Sequence, residues 1–383
     1  MPRPVPAPEV VDLRCLACGA IHPASYDATT CVAPGHTGER GILDVTYDYD
    51  RASKSWPAAT SQGFWRWRPL LPVNAPHVAH LPTGDTPLFR APHLAARLGL
   101  KELWLKDETR NATRSLKDRA TAVAIAIALA THKKTVACAS AGNAAISLAG
   151  FAASAGLACE VFVPSYASAE RRAWIERFGA RLHVSAGDYD AAFEECEVAA
   201  RAHGWYNRNC AYNPFLVEGK KTVSYEICEQ LGRTIPDVVV CAVGDGCTLG
   251  AIGKGFRDLR ALGVTSALPA LVGVQAEAVS PLVSRRRGEV WRDDGRSTVA
   301  ASIAVRRPRN AVRVLHEVKE SNGTLLAVSD DALAAAQRAY AREAGVVVEA
   351  ATAATLAGLE ALVADGQLRG ARVVAVLTGA RDA

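Results

Sequence analysis

The chemistry most easily read from this chain lies around one lysine. Lys117 stands in Arg114-Ser115-Leu116-Lys117-Asp118-Arg119, between a polar turn and an apolar run over residues 120–130. A lysine where a turn enters a helix sits near the positive end of the helix dipole, which disfavours its ammonium form. An amine held partly neutral attacks carbonyl carbon, so Lys117 is a candidate for Schiff-base chemistry. Two loops offer donors to anions. Ser140-Ala141-Gly142-Asn143 presents a hydroxyl and backbone N–H groups suited to a carboxylate, and Asn143 adds an amide. Gly244-Asp245-Gly246-Cys247-Thr248-Leu249-Gly250 lets backbone N–H groups close around a phosphate at a helix start. Its glycine spacing does not fit a dinucleotide fingerprint. Near the amino terminus, Cys15-Leu-Ala-Cys18 is followed by Cys31 and His36, a thiolate and imidazole set with zinc-compatible spacing. His22 competes with His36 for the fourth place. Two readings stay open there, a structural zinc or a ribbon without metal.

These residues need elements to carry them. Residues 102–105, 135–138, 159–163, 181–184, 238–243, 271–275 and 373–378 read as short strands rich in β-branched residues. Helical periods lie between them, for example Phe193, Cys196 and Ala200 on one face. That alternation predicts an α/β fold with doubly wound parallel sheets. Ligands in such sheets bind beyond the carboxyl ends of strands, where both anion-gripping loops fall. The run Phe64-Trp65-Arg66-Trp67-Arg68-Pro69 reads as an aromatic, basic linker used in interdomain packing.

Composition narrows the function class. A chain of 383 residues with 49% apolar residues can bury a large core and suggests two domains or more. The net charge of +5 is scattered, its longest basic run being Arg285-Arg286-Arg287, so no nucleic-acid partner is expected. No stretch reaches the roughly 20 apolar residues of a membrane span. Residues 1–10 are proline-rich and lack the apolar segment of a secretory signal. Ten cysteines in a long chain of this kind point to reduced thiols or a metal site, and a cytoplasmic enzyme is expected.

The stretch from Asn111 to Arg119 resembles the Asn-Pro-Thr-Gly-Ser-Phe-Lys-Asp-Arg signature of threonine synthases and related fold-type-II pyridoxal-phosphate (PLP) enzymes. The resemblance runs in family order through Thr83-Gly84-Asp85-Thr86-Pro87-Leu88, the asparagine loop, Asn213-Pro214 to Thr222, the glycine loop, residues 345–350 and Val376-Leu377-Thr378-Gly379. It implies two doubly wound domains behind a Cys-rich, ribbon-like segment over residues 1–60. The large PLP-binding domain would comprise residues 61–131 and 233–383, and a small mobile domain residues 132–232. It implies that Lys117 is the catalytic lysine and carries PLP as a Schiff base. Asn143 would meet the coenzyme's phenolic oxygen, Gly244, Asp245, Gly246, Cys247 and Thr248 would form its phosphate cup, and Thr378 would face its ring nitrogen. Asp245 must then turn its carboxylate away from the phosphate. Ser140, Ala141, Arg114 and Lys221 are the candidate substrate contacts. A homodimer acting on a small amino acid is the family habit.

Departures from the family pattern matter for the substrate. Ala112, Arg114 and Leu116 replace Pro, Gly and Phe of the signature, and Leu216 stands where the family grips substrate phosphate with arginine. A leucine cannot pair an anion. Arg114, three residues from Lys117, is the candidate replacement charge. The expected activity is elimination of phosphate from O-phosphohomoserine and addition of water to give threonine. The alternative is β-elimination, as in serine or threonine dehydratases, or β-replacement on a related amino acid, as in cysteate synthase.

Overall fold

A computed structural model describes residues 5–36, 39–57, 61–73 and 81–380. Arg381 and Asp382 of the shortened carboxyl-terminal motif, and Met1 to Pro4 of the proline-rich start, lie outside the described residues. The chain divides into two compact units: Met1–Gly84 with Asn111–Lys220, and Asp85–Arg110 with Lys221–Asp382. The sequence divides the core after residues 131 and 232. In the structure the helix Lys117–Ala130 joins the first unit, because it packs on the helices Asn143–Ser154 and Phe215–Lys220.

The first unit holds two sheets. The smaller is antiparallel, in the order Ile21–Pro23, Val10–Cys15, Gly41–Tyr47, Thr30–Cys31. Its inner face carries Leu13, Leu43, Val45 and Tyr47, all buried. The second sheet is parallel, in the order Tyr206–Asn207, Thr135–Ala139, Ala158–Val163, Arg181–Val184. The aromatic, basic run is a 3-10 helix, Phe64–Leu70, whose buried Trp67 packs against Trp56 within this unit, the ring centroids 5.3 Å apart and the planes tilted by 40°. Trp67 is thus part of this unit's own core.

The second unit is built on a six-stranded sheet, in the order Thr324–Val328, Ala270–Ala276, Val238–Ala242, Arg372–Leu377, Glu102–Asp107, Leu88–Arg90. Every pairing is parallel except the last. The central strands are buried on both faces, which is why they read as unbroken Val, Ala and Leu runs instead of alternating ones. The helix Ala350–Ala364 covers this sheet and is buried along most of its length; Gly358 is required there, since an added Cβ would come within 2.5 Å of Val274. Among the described residues no helix is long and apolar enough to cross a membrane.

Candidate active site

Lys117 is the first residue of its helix and is half-buried. Its backbone is held from several sides. The N–H meets the Ser115 hydroxyl at 3.3 Å, and the carbonyl accepts from Thr121 Oγ1 at 3.0 Å and from Arg208 Nη2 at 3.2 Å. Arg208 is buried and also donates to Thr121 Oγ1, which receives Ser147 Oγ at 2.7 Å. Next to the lysine, Asp118 accepts the Thr113 N–H at 2.7 Å and the Thr113 hydroxyl. Burial pushes the Asp118 carboxyl up from its ordinary pKa, and the Thr113 and Ser147 donors and the Arg208 cation offset that only in part. Behind this turn Gly219 lies so close that an added Cβ would stand 2.1 Å from the carbonyl oxygen of Arg119. The glycine therefore fixes the distance between the short helix Phe215–Lys220 and the first turn of the Lys117 helix.

The turn before the lysine is unusual at Arg114, whose φ of +65° lies in the left-handed region that favours glycine. Its N–H bonds to the Asn111 carbonyl at 2.8 Å, while the Asn111 side chain accepts from Gly84 N at 2.9 Å. The Arg114 side chain is exposed and makes no ion pair or hydrogen bond among the described residues. Leu216 is fully buried in its helix and offers no charge. Lys220 at the end of that helix is buried, 2% exposed, and has no ion pair among the described residues.

Asn143 opens the next helix of this unit, after a loop in which Ser140 Oγ accepts from Gly142 N at 3.1 Å. Ser140, Ala141, Gly142 and Asn143 are half-buried, and a Cβ added to Gly142 would meet nothing within 4 Å. The loop is thus ordered by its own serine yet has open space beside it.

In the second unit the glycine loop ends at Gly246, which caps the helix Cys247–Ala261 with a φ of +92°. A Cβ at Gly246 would stand 2.9 Å from the Asn310 carbonyl oxygen, and one at Gly244 would stand 3.1 Å from Val305. The Asp245 carboxylate accepts the Arg309 N–H at 2.9 Å, so it is engaged with the 302–310 segment. Cys247 is buried and Thr248 half-buried in the first turn, where backbone N–H groups lack helical acceptors. Thr378 follows the central strand Arg372–Leu377, is 9% exposed, and its hydroxyl lies 3.0 Å from Thr352 Oγ1. Thr352 also donates to the Gly379 carbonyl at 2.9 Å.

Lys221, a candidate substrate contact in the sequence, is placed in the core. Its side chain is fully buried and its Nζ lies 2.7 Å from Asp258 Oδ2, which also accepts the Tyr225 hydroxyl. Burial alone would raise the Asp258 pKa, but the Lys221 and Lys254 ammonium groups and these hydrogen bonds hold it below its ordinary value. The lysine belongs to a core ion pair. Residues absent from the sequence reading are Arg208, Thr121, Ser147 and Thr352, each joined to a motif residue only through the fold.

In the amino-terminal ribbon, Cys15, Cys18, Cys31 and His36 bring one ligand atom each to within 4.8 Å of the others.

Comparison with known proteins identifies the group. A family profile described as pyridoxal-phosphate dependent enzyme matches residues 80–379. The chain is 34% identical over 376 residues to a threonine synthase of Methanocaldococcus jannaschii, covering 96% of this chain and 91% of that one. It is 35% identical over 374 residues to a threonine synthase of Methanosarcina acetivorans, with the same coverage. Among solved structures, an L-serine ammonia-lyase from Rhizomucor miehei superposes with a TM-score of 0.68 at 22% identity, over 80% of this chain and 96% of that one. Maize serine racemase gives 0.67 at 17%, over 81% and 92%. Those two show the α/β fold of fold-type-II PLP enzymes. The donor set fits the coenzyme: an amine and an amide on half-buried helix starts, a glycine-capped helix N-terminus with its nearby carboxylate engaged elsewhere, and a threonine hydroxyl at a strand end. By profile and by identity over almost its whole length, the chain belongs to the pyridoxal-phosphate dependent enzyme family.

Proposed function

We propose that this enzyme is threonine synthase-like, eliminating phosphate from O-phosphohomoserine and adding water to give threonine. The observation that carries the reading is 34–35% identity to threonine synthases over 96% of the chain, with the lysine of the shared signature half-buried at a helix start. Lys117 would hold the coenzyme aldehyde, Asn143 would donate to its phenolic oxygen, and Thr378 would serve its ring nitrogen. Gly244, Gly246, Cys247 and Thr248 receive its phosphate, with Asp245 supporting the loop through Arg309. When bound, PLP supplies an electron sink for the bond broken at the substrate Cα. With the coenzyme bound, the Lys117 amine would be the general base for the substrate Cα proton. Its backbone is fixed for that role, because Thr121 and Arg208 hold its carbonyl. Ser140 and the backbone at Ala141 bind the substrate carboxylate beside the open space at Gly142.

Arg114 takes the anionic leaving group of the substrate. Its guanidinium has no ion pair or hydrogen bond among the described residues, and the fork of donors matches a phosphate. The buried Leu216 favours a second reading, β-elimination or β-replacement on a related amino acid, since the charge at that position is gone. The protein works as a homodimer in a reducing compartment, which its ten free cysteines suit. Incubation with phosphohomoserine, phosphoserine, threonine and serine, with assays for phosphate, ammonia and amino-acid products, tests the reaction. Threonine and phosphate from phosphohomoserine support the first reading, and ammonia from serine or threonine replaces it with the second. Borohydride reduction and peptide mapping test the lysine; a label away from Lys117 refutes the assignment.

A further inference from the structure

We infer that the amino-terminal ribbon holds one structural zinc ion on Cys15, Cys18, Cys31 and His36, with His22 as a hydrogen-bond donor to a ligand and not as a ligand itself. The geometry carries this independently of the coenzyme site. Zinc bonds of about 2.3 Å to sulfur and about 2.0–2.1 Å to nitrogen, set at tetrahedral angles, place two sulfurs roughly 3.8 Å apart and a sulfur and a nitrogen roughly 3.5–3.6 Å apart. Cys18 and Cys31 sulfurs are 3.8 Å apart, and His36 Nε2 is 3.6 Å from Cys15 Sγ and 3.5 Å from Cys18 Sγ. Three edges of a zinc tetrahedron are therefore already at their lengths.

The two histidines divide by position. His36 Nε2 faces two sulfurs at metal-edge distance. His22 Nε2 meets one sulfur alone, Cys31 Sγ, at 3.1 Å, which is hydrogen-bond contact. The Ala33 N–H reaches the same sulfur at 3.4 Å. Three thiolates around a dication leave a net negative charge, and N–H donors to sulfur spread it. His22 does so at a sulfur with little access to water, since Cys31 is 8% exposed. Gly41 completes the site from the strand paired with Cys31. An added Cβ there would lie 2.6 Å from both Cys31 Cβ and the His36 ring, so only glycine leaves the imidazole its place.

The consequence is structural. A closed set of four protein ligands leaves no position for a substrate. What it does is tie the Cys15–Cys18 knuckle, the two-residue strand Thr30–Cys31 and the loop carrying His36 into one ribbon. Strands of two and three residues have too few ladder bonds to hold themselves.

The test uses the full-length protein, purified without chelator and analysed for metal by mass spectrometry. About one zinc per chain is expected, lost in Cys18→Ser and in His36→Ala, and retained in His22→Ala with roughly 10–100-fold weaker affinity by chelator competition. Cobalt substitution of the native chain should give a tetrahedral thiolate spectrum, a readout that needs no variant to fold. Less than about a tenth of an equivalent after reconstitution with zinc, or a Cys18–Cys31 disulfide in the intact protein, overturns the inference. Loss of metal in His22→Ala with retention in His36→Ala overturns the ligand assignment. Coenzyme labelling at Lys117 is followed in the same samples, so metal-free protein that still labels sinks the zinc alone.

Discussion

Replacing Lys221 by methionine separates a core ion pair from a substrate contact. The methionine keeps the length of the apolar stem and removes the ammonium that lies 2.7 Å from Asp258. Taking one partner from a buried pair costs about 3–5 kcal/mol, because the other charge is left without compensation. Here Asp258 keeps the Tyr225 hydroxyl, and Lys254 still attracts it. The lower end, about 3 kcal/mol, is therefore expected, which lowers Tm by roughly 4 °C where the whole chain unfolds together. Adding Asp258→Asn removes the stranded charge while keeping a partner for Tyr225, and should restore more than half of the loss. Thermal unfolding at neutral pH reads the stability, and steady-state kinetics below the transition reads the site. The expected pattern is a lower Tm with KM for the amino-acid substrate within about twofold of native. A Tm within about 2 °C of native, together with a KM raised roughly tenfold, would refute the reasoning and return Lys221 to the substrate.

Arg114→Gly should move stability and substrate affinity in opposite directions. Relief of the left-handed backbone stabilises by about 1 kcal/mol, while loss of a charged donor raises KM for a phosphorylated substrate by roughly 10-fold or more; equal kinetics would leave Lys220 as the cation to examine. Gly219→Ala forces a Cβ onto the Arg119 carbonyl and should cost at least about 1–3 kcal/mol and reduce borohydride labelling of Lys117. Gly150→Ala, whose Cβ would stand 3.2 Å from the Thr113 methyl, should be milder, and equal losses in the two would contradict the close approach as the cause. The depressed Asp258 pKa sets a pH signature. An ionised carboxylate of that kind contributes stability above its unfolded pKa of about 3.9, lost as pH falls through the lower folded value. The stability gap between native protein and Asp258→Asn should thus be wide at pH 7 and close below about pH 4 in denaturant titrations; a gap independent of pH would exclude the ionised pair.

The parallel strands were legible because their burial is local in sequence. Residues 135–138, 238–243 and 373–378 are runs of small β-branched and apolar residues, as strands covered on both faces must be. The edges were not. Thr324–Val328 is half-buried at one edge of its sheet, and Tyr206–Asn207 has two residues, too few for any period to show. The lysine turn was legible from its residue order and its place before an apolar run. Its supports were not, since Arg208 reaches the Lys117 carbonyl across 91 residues and Ser147 reaches Thr121 across 26. Lys221 shows the opposite failure. A lysine among phosphate-binding residues and a lysine in a core pair have the same one-dimensional neighbours, and only Asp258, brought up by the helix Cys247–Ala261, tells them apart.

Two tasks are separated within one turn. The backbone from Asn111 to Lys117 is held by groups that never need to touch a substrate: the Asn111 side chain on Gly84, the Asp118 carboxylate on Thr113, and Arg208 with Thr121 on the Lys117 carbonyl. Such a frame tolerates a residue in the left-handed region, whose cost of about 1–2 kcal/mol would otherwise relax the turn. Glycine would fill the position at no such cost. The arginine gives nothing back to folding, since its guanidinium is exposed and without an ion pair among the described residues. A costly residue retained in a rigid frame, three positions from the reactive lysine and with the neighbouring helix carrying a buried leucine, is best explained by what its charge does for the substrate.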